Sequence, residues 1–358
     1  MTTNPSGPDA LISSAQRPAS ETAITISCSR GLAQWLLANS LSIAFTSYQS
    51  GRLYLVGVDG DGALSVHERA FERSMALCTS GRSLWLATAY QLWRFENCGQ
   101  VGAGLPDTCY APREARITGD VDIHDIGVLN DGSLVFVNTA FSCLSGISDQ
   151  YNFRTLWKPE FISALVPEDR CHLNGMAVYD GHVTHVSALC RSDAAHGWRD
   201  RRATGGLLID VRENRITIEG LCMPHSPRWH DGRLWLLNSG KGEFGTIDPV
   251  SGTFEAVAFL PGFLRGLAFI GNYAMVGLSK PRDGSFSGLP LDDMLTARDA
   301  DPRCGIYVVD IRSGAILEWF EFNSGVNELF AVEALPGVRQ PVAYGLIGSE
   351  IRTEIVFE

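Results

Sequence analysis

The chain has 358 residues, 45% hydrophobic and 19% charged, with 40 Asp and Glu against 29 Lys and Arg for a net charge of −11. That composition can bury a sizeable core and excludes global disorder. An acidic chain without a basic run is a poor binder of nucleic acid or anionic membranes, so neither is expected as a partner. No apolar run approaches the ~18 residues of a membrane span. The N-terminal MTTNPSGPDALISSAQRPASET has neither a charged n-region nor an apolar h-region, so no secretory signal is expected. The nine cysteines are scattered, without a C-x-x-C pair, and several stand in apolar runs (Cys78, Cys190, Cys222). This usage predicts free thiols and a reducing, cytoplasmic setting.

In chain order, residues 1–21 read as a disordered tail and residues 22–358 as a single all-β domain. Short apolar or alternating runs recur, punctuated by Asp-Gly, Gly-Asn and Ser-Gly turns. The first copy is GLAQWLLANSLSIAFTSYQSGRLYLVGVD from Gly31. SMALCTSGRSLWLATAYQLWRFE follows from Ser74, and IHDIGVLNDGSLVFVNTAFSCL from Ile123. HLNGMAVYDGHVTHVSALC begins at His172. The clearest unit begins at Pro224: PHSPRWHDG, RLWLLNSGKG, EFGTIDPVSG and TFEAVAFLPG are four strands joined by tight turns. LRGLAFIGNYAMVGLSK opens at Leu264 and ELFAVEALPGVRQPVAYGL at Glu328.

Four-strand repeats of roughly 40–60 residues predict a β-propeller. The openings favour seven blades, with six possible if the first or last copy is an appendage. The last copy is about one strand short. TAITISC, residues 22–28, is expected to supply that strand and close the ring, removing exposed edges. Residues 190–206 and 281–304 are long insertions after second strands. Residues 144–170 form a third extra stretch, with a short helix expected near Phe161. The insertions mark one decorated face.

Aligning the innermost strands on Gly127, Gly175, Arg228, Gly266 and Ala331 sets a register. Three positions earlier stand His124, His172, His225, Phe263 and Glu328. Three imidazoles at one depth are the ligand set of a divalent transition metal, zinc or iron, with an open position. Asp122 and Asp125 flank His124 and are candidates to orient it. Polar packing or direct substrate contact is the other reading of the trio. Second strands end on the same face at Tyr48, Tyr90, Asn138, Ser187, Asn238 with Lys241, and Lys280, a polar ring suited to a substrate cup. Arg265 joins this set, although alternation is expected to turn it to the other side of its strand. Glu328 is the first candidate for a general base, and Tyr48 or Tyr90 for a proton donor. The G-x-S-x-G, P-loop, dinucleotide and H-E-x-x-H signatures are absent.

ELFAVEALPGVRQP, HLNGMAV, PHSPRWHDGRLWLLNSGKGEFG and FLRGLAF together resemble a bacterial propeller family of conserved proteins of unknown function, over about residues 24–345. That resemblance implies a propeller. A weaker similarity is to metal-dependent propeller enzymes. Gluconolactonase-like proteins carry an N-G motif like Asn174-Gly175, and peptidyl-hydroxyglycine lyases hold a metal with three histidines from separate blades. The latter similarity implies His124, His172 and His225 as ligands. Iron-dependent carotenoid oxygenases use four histidines, where this chain offers Phe263 or Glu328. The resulting expectation is a metal-dependent lyase or hydrolase for a polar small molecule or peptide. An iron or copper oxidoreductase, and a non-catalytic module binding a peptide or protein, are the alternatives.

Overall fold

The computed structural model describes residues 23–100, 106–281, 284–286, 288–346 and 348–357. The expected tail, residues 1–21, lies outside them. The two-residue turns follow from local chemistry. Asp180-Gly181 and Asp231-Gly232 adopt positive φ at both positions, and they close the pairs Tyr179↔His182 and His230↔Arg233. Such turns match the right-handed twist of their strands, and Asp and Gly tolerate the left-handed region best.

The strands form an all-β propeller of six blades. Blade 2 runs outward through Leu77–Ser80, Ser83–Ala87, Gln91–Asn97 and Thr108–Ile117. Blade 3 contains Ile123–Val128, Leu134–Asn138, Cys143–Gly146 and Arg154–Trp157. Blade 4 contains Leu173–Tyr179, His182–Ala188, Gly206–Asp210 and Arg215–Leu221. Blade 5 contains Pro224–His230, Arg233–Asn238, Glu243–Asp248 and Thr253–Phe259. Blade 6 contains Phe263–Ile270, Tyr273–Ser279, Gly305–Asp310 and Ile316–Ser324. Blade 1 combines the two ends of the repeat array: Val332–Pro336 is innermost, followed by Leu41–Ser47, Arg52–Val58 and Leu64–Ala70. Innermost strands touch in the cyclic order of the blades, and blade 6 touches blade 1.

The count is therefore the lower of the two expected. The openings at Gly31 and Glu328 are two parts of one blade, joined where Ala334 pairs with Ile43. Ring closure thus comes from the C-terminal strand. TISC, Thr25–Cys28, does pair into blade 6, but as a fifth strand on its outer edge, with Cys28 opposite Phe320. The physical reason is the apolar character of the two segments. Val332–Pro336 alternates into the core, whereas Thr25–Cys28 is mostly exposed. The first copy's GLAQWLLA is also not a strand. Leu32–Ala38 is a helix whose Leu32 and Leu36, four apart, are its buried residues. Near Phe161 the chain makes a turn, closed by Ile162 N–H on the Pro159 carbonyl, rather than a helix. Pro341–Ala343 adds a parallel outer strand to blade 2. No helix among the described residues is long and apolar enough to cross a membrane.

The core lies between blades. Trp235 and Phe244 of blade 5 stack at 4.9 Å, and Trp235 meets Phe269 of blade 6 at 5.6 Å. Phe45 and Tyr54 of blade 1 pack on Phe320 and Phe322 of blade 6. Truncating one such buried ring to Ala costs about 3–5 kcal/mol.

Nearer the axis, one ion pair joins three blades. Arg228 of blade 5 donates Nη1 to Asp125 Oδ2 at 2.7 Å and Nη2 to Asp125 Oδ1 at 2.9 Å, a two-pronged bond to blade 3. Blade 4 completes both partners. Met176 N–H donates to Asp125 Oδ2 at 2.9 Å, and Arg228 Nη1 also donates to the Met176 carbonyl at 2.8 Å. Gly175 makes this crossing possible, since a Cβ there would lie 3.3 Å from Asp125 Oδ2 and 3.0 Å from Ser226 N. Glu333 of blade 1 belongs to the same electrostatic group, and Thr79 donates to its Oε2 at 3.0 Å. Desolvation, aided by Asp125, raises the Glu333 carboxyl to about 7, against the pull of Arg228 and Thr79.

Removing residues 328–358 is expected to abolish cooperative unfolding, because blade 1 loses its innermost strand. Removing residues 1–29 should preserve the fold and lower Tm by no more than about 5 °C. Thermal scans of the two truncations check this, and equal losses would contradict closure by Val332–Pro336. For the ion pair, Asp125→Asn and Arg228→Met should each cost about 3–5 kcal/mol in urea unfolding, because each strands a buried partner. The double variant should cost at least about 1 kcal/mol less than their sum. Strict additivity would mean that the two groups are not coupled.

Candidate functional site

The three histidines do converge, and the backbone that presents them is strained in a repeated way. Asp122 and Met223 stand two residues before His124 and His225, and both have left-handed φ, +55° and +49°. That conformation turns each carbonyl back toward the following imidazole. His124 Nδ1–H donates to the Asp122 carbonyl at 3.0 Å, and His225 Nδ1–H to the Met223 carbonyl at 2.8 Å with Ser239 Oγ at 3.0 Å. His172 is itself left-handed (φ +52°), and its Nδ1 donates to Asp169 Oδ2 at 2.8 Å. Non-glycine residues held in this region are energetically costly and cluster at functional sites. In all three rings the anchored nitrogen is Nδ1, so any further partner must be met through Nε2.

The rings of His124 and His172 meet edge to face at 4.9 Å. His225 lies within the electrostatic reach of both. Each imidazole also has an aromatic neighbour: Phe330 beside His124 at 5.2 Å, Trp198 beside His172 at 4.4 Å, and Phe263 beside His225 at 5.4 Å. Burial pushes His124 well below the ordinary imidazole value, and the His172 ring and the Arg265 guanidinium push the same way. Burial, then Arg265, does the same to His225. Both rings are therefore neutral near pH 7, with Nε2 available as an acceptor. His172 is the most accessible of the trio, its side chain 15% exposed against 5% for His124.

Arg265 belongs with the histidines. Its guanidinium lies 3.7 Å from the centroid of Phe330. The expected turn to the other side of the strand does not occur, because Phe263 and Arg265 are two residues apart and share a face. A bulge between Leu264 and Leu267 follows at once, with Gly266 at φ +85°. Gly277 makes room for it, since a Cβ there would lie 2.2 Å from the Arg265 carbonyl.

The other expected residues divide. Tyr48 reaches the rim and stacks on Phe330 at 6.0 Å. Tyr90 is an exposed ring in the turn after the second strand of blade 2. Asn138 and Asn238 are buried braces. Asn138 Oδ1 accepts from Phe141 N–H and its Nδ2 donates to Ser145; Asn238 Oδ1 accepts from Cys222 N–H and its Nδ2 donates to Glu243. Ser187 is fully buried inside blade 4, opposite Gly175 and Leu208. Lys241 ends a one-turn helix, Ser239–Lys241, where its charge faces the Cys222 thiol. Lys280 Nζ points to the Phe322 carbonyl at 3.4 Å. Glu328 lies ahead of the strand that begins at Val332, its carbonyl held by Ser47 Oγ at 2.8 Å, and its charge opposes that of Lys280 on the Cys304 thiol. In that segment the residue packed on His124 is Phe330.

Three contributors escaped the sequence reading: Asp169, Trp198 and Phe330. Asp169 sits three residues before His172, a spacing that could have flagged it. It also accepts from Trp198 Nε1 at 2.9 Å, so one carboxylate aligns both rings. Trp198 comes from the insertion after the second strand of blade 4, which places that insertion on the histidine face.

Among the described residues, no three His, Cys, Asp or Glu side chains form a group that could hold a metal ion. Arg265 already sets a positive charge against His124 and His225, which opposes a second cation. All nine cysteines are free thiols. Two clefts on the outer wall, of about 540 Å³ beside Tyr307 and Trp319 and about 750 Å³ beside Phe161 and Arg215, are lined by none of the histidines.

Residues 30–344 match the family described as a domain of unknown function, DUF4915. The chain belongs to that family. A comparison with curated proteins gives no match. Among solved structures, a chain of a nidogen/laminin complex aligns with TM-score 0.52 at 9% identity, over 83% of this chain and 99% of that one, which supports the propeller fold alone. Virginiamycin B lyase from Staphylococcus aureus aligns with TM-score 0.39 at 10% identity, over 84% and 99% of the two chains. A protein of unknown function from Bacteroides caccae aligns with TM-score 0.48 at 9% identity, over 82% and 98%.

The depressed histidines make a pH prediction for this DUF4915 member. An unfolded histidine gains its proton near pH 6.5, whereas folded His124 and His225 stay neutral below that. Stability they contribute is thus present above about pH 6.5 and declines as pH falls. Nitrogen NMR of the ring signals should find both as Nδ1–H tautomers with no charging between pH 7.5 and 5.5. A titration midpoint near 6.5 for either ring would contradict their burial.

Proposed function

We propose that this protein is an enzyme, a lyase or hydrolase, that works by imidazole acid–base chemistry on an anionic polar small molecule or peptide. The observation that carries the reading is the Asp169–His172 pair. A carboxylate bonded to Nδ1–H orients the most accessible imidazole of the trio, whose ring meets the neutral His124 edge to face, and His124 in turn lies within the electrostatic reach of Arg265. A base oriented by a third group is the recurring device of proton abstraction and nucleophile activation. In this reading His172 Nε2 takes a proton from the substrate or from a water. From a substrate C–H, the electron pair moves onto the adjacent carbonyl oxygen and then returns to expel the leaving group; from a water, the hydroxide adds to the carbonyl carbon, and the resulting oxyanion collapses as the leaving-group bond breaks. Arg265 stabilises the charged oxygen in either case. His124 and His225 accept hydrogen bonds from the substrate through Nε2. Tyr48, at the rim, is the candidate proton donor to the leaving group.

The test is turnover of a mixture of carboxylate-bearing metabolites and short peptides, followed by mass spectrometry. For any compound consumed, His172→Gln should lower kcat/KM by about 10²–10⁴ and Arg265→Gln by about 10². Asp169→Asn should lower kcat more than it raises KM. Chelator treatment should change none of these rates. Turnover that survives His172→Gln, or that is lost to chelator and restored by zinc or iron, would overturn the proposal.

A further inference from the structure

Every imidazole of the trio is packed against an aromatic ring, and these rings come from separate segments. Phe263 and Phe330 belong to blade 6 and to the lead-in of blade 1. Trp198 comes from the first long insertion. Phe286, from the second, stacks on Phe263 at 6.4 Å. The two decorations of this face, carried by blades 4 and 6, thus end in the same layer of rings.

Trp198 and Phe286 are 88 positions apart by their numbering, on the insertions of blades 4 and 6.

Against these rings lie two guanidinium groups, Arg265 at 3.7 Å from the centroid of Phe330 and Arg199 at 5.7 Å from that of Trp198; Arg265 is the one that acts electrostatically on His124 and His225. The accessible surfaces at this layer are those of Trp198, Phe263, Arg265, Tyr48 and His172, all half-buried, whereas Phe286 and Phe330 are buried behind them. A ligand meeting this surface faces π-systems, neutral nitrogen acceptors and the Arg265 guanidinium. Flat, polarisable groups suit the rings by stacked or edge-to-face contact. A carboxylate suits the guanidinium, which offers two parallel donors. A flexible, heavily hydroxylated ligand would lose its hydration against these rings without matching partners.

We propose that the histidine site takes a carboxylate attached to a flat aromatic or conjugated group, with Trp198 as the residue that selects for flatness and Arg265 as the one that selects for charge. This rests on the reading of the same site as catalytic, and it narrows the substrate class. Trp198 acts from an insertion rather than from a blade strand, so its side chain can change without altering a blade.

The experiment is calorimetric and NMR titration of the full chain with 2-naphthoate and benzoate, against cyclohexanecarboxylate and the neutral benzamide. The aromatic acids should bind at least about tenfold tighter than cyclohexanecarboxylate and shift the ring signals of His172. Trp198→Ala should erase that preference, and Trp198→Phe should keep most of it. Arg265→Gln should weaken the aromatic acids at least about tenfold and leave benzamide unchanged. Equal affinity for flat and saturated acids, with the Arg265 dependence intact, would overturn the inference and leave the proposed acid–base function standing. Absence of saturable binding by either aromatic acid would overturn the inference whatever the turnover assay returns. Turnover that survives His172→Gln would remove the proposed function, whether or not aromatic acids bind.

Discussion

The bond between Arg228 and Asp125 is the constraint on which the centre of this propeller depends. A guanidinium and a carboxylate on blades 5 and 3 meet across blade 4, and the main chain of Met176 satisfies both. Removed from water, such a pair gains little net stability against an apolar alternative, but a broken one is costly. Its value is geometric. Asp125 follows His124 directly and Arg228 lies three residues after His225, so the pair sets the separation of the strands that carry two of the three imidazoles. The absence of a side chain at Gly175 lets the third strand, with His172 at its head, pass between them.

Above that pair, the chain spends conformational energy to hold the imidazoles. The left-handed residues at Asp122, Met223 and His172 would each be easier to build as extended strand. What the strain secures is the same result three times, an Nδ1–H tied to an oxygen and an Nε2 left for another partner. Burial then keeps His124 and His225 neutral, and Arg265 reinforces that choice. Fixed tautomers leave Nε2 as the acceptor in each ring, and the nearby guanidinium suits an anion.

The periphery adds what the blades lack. Blade strands supply the histidines, but Asp169 and Trp198 come from the connections around blade 4 and Phe286 from the insertion of blade 6. Loops carried by a rigid scaffold are where such contacts can vary at low cost to the fold. The propeller itself is compatible with many activities, so the functional reading rests on these particular side chains.

The sequence by itself determined the all-β propeller, because alternating apolar runs between Asp-Gly turns leave few other ways to bury both faces of each strand. It also placed His124, His172 and His225 in one register, since a common position in a repeat is a common depth in the ring. Tertiary structure alone decided the blade count and the closure. Glu328 and Gly31 both read as openings, and only pairing of Ala334 with Ile43 shows that they share a blade. It likewise decided the chemistry of the trio. Burial and the approach of Arg265, Trp198 and Phe330 depend on residues far apart in the chain, and such contacts leave no periodic trace. The substitution of Phe330 for Glu328 beside the histidines has the same origin. The lead-in to the closing strand is not itself a strand, so the register that aligned the other blades does not extend to it.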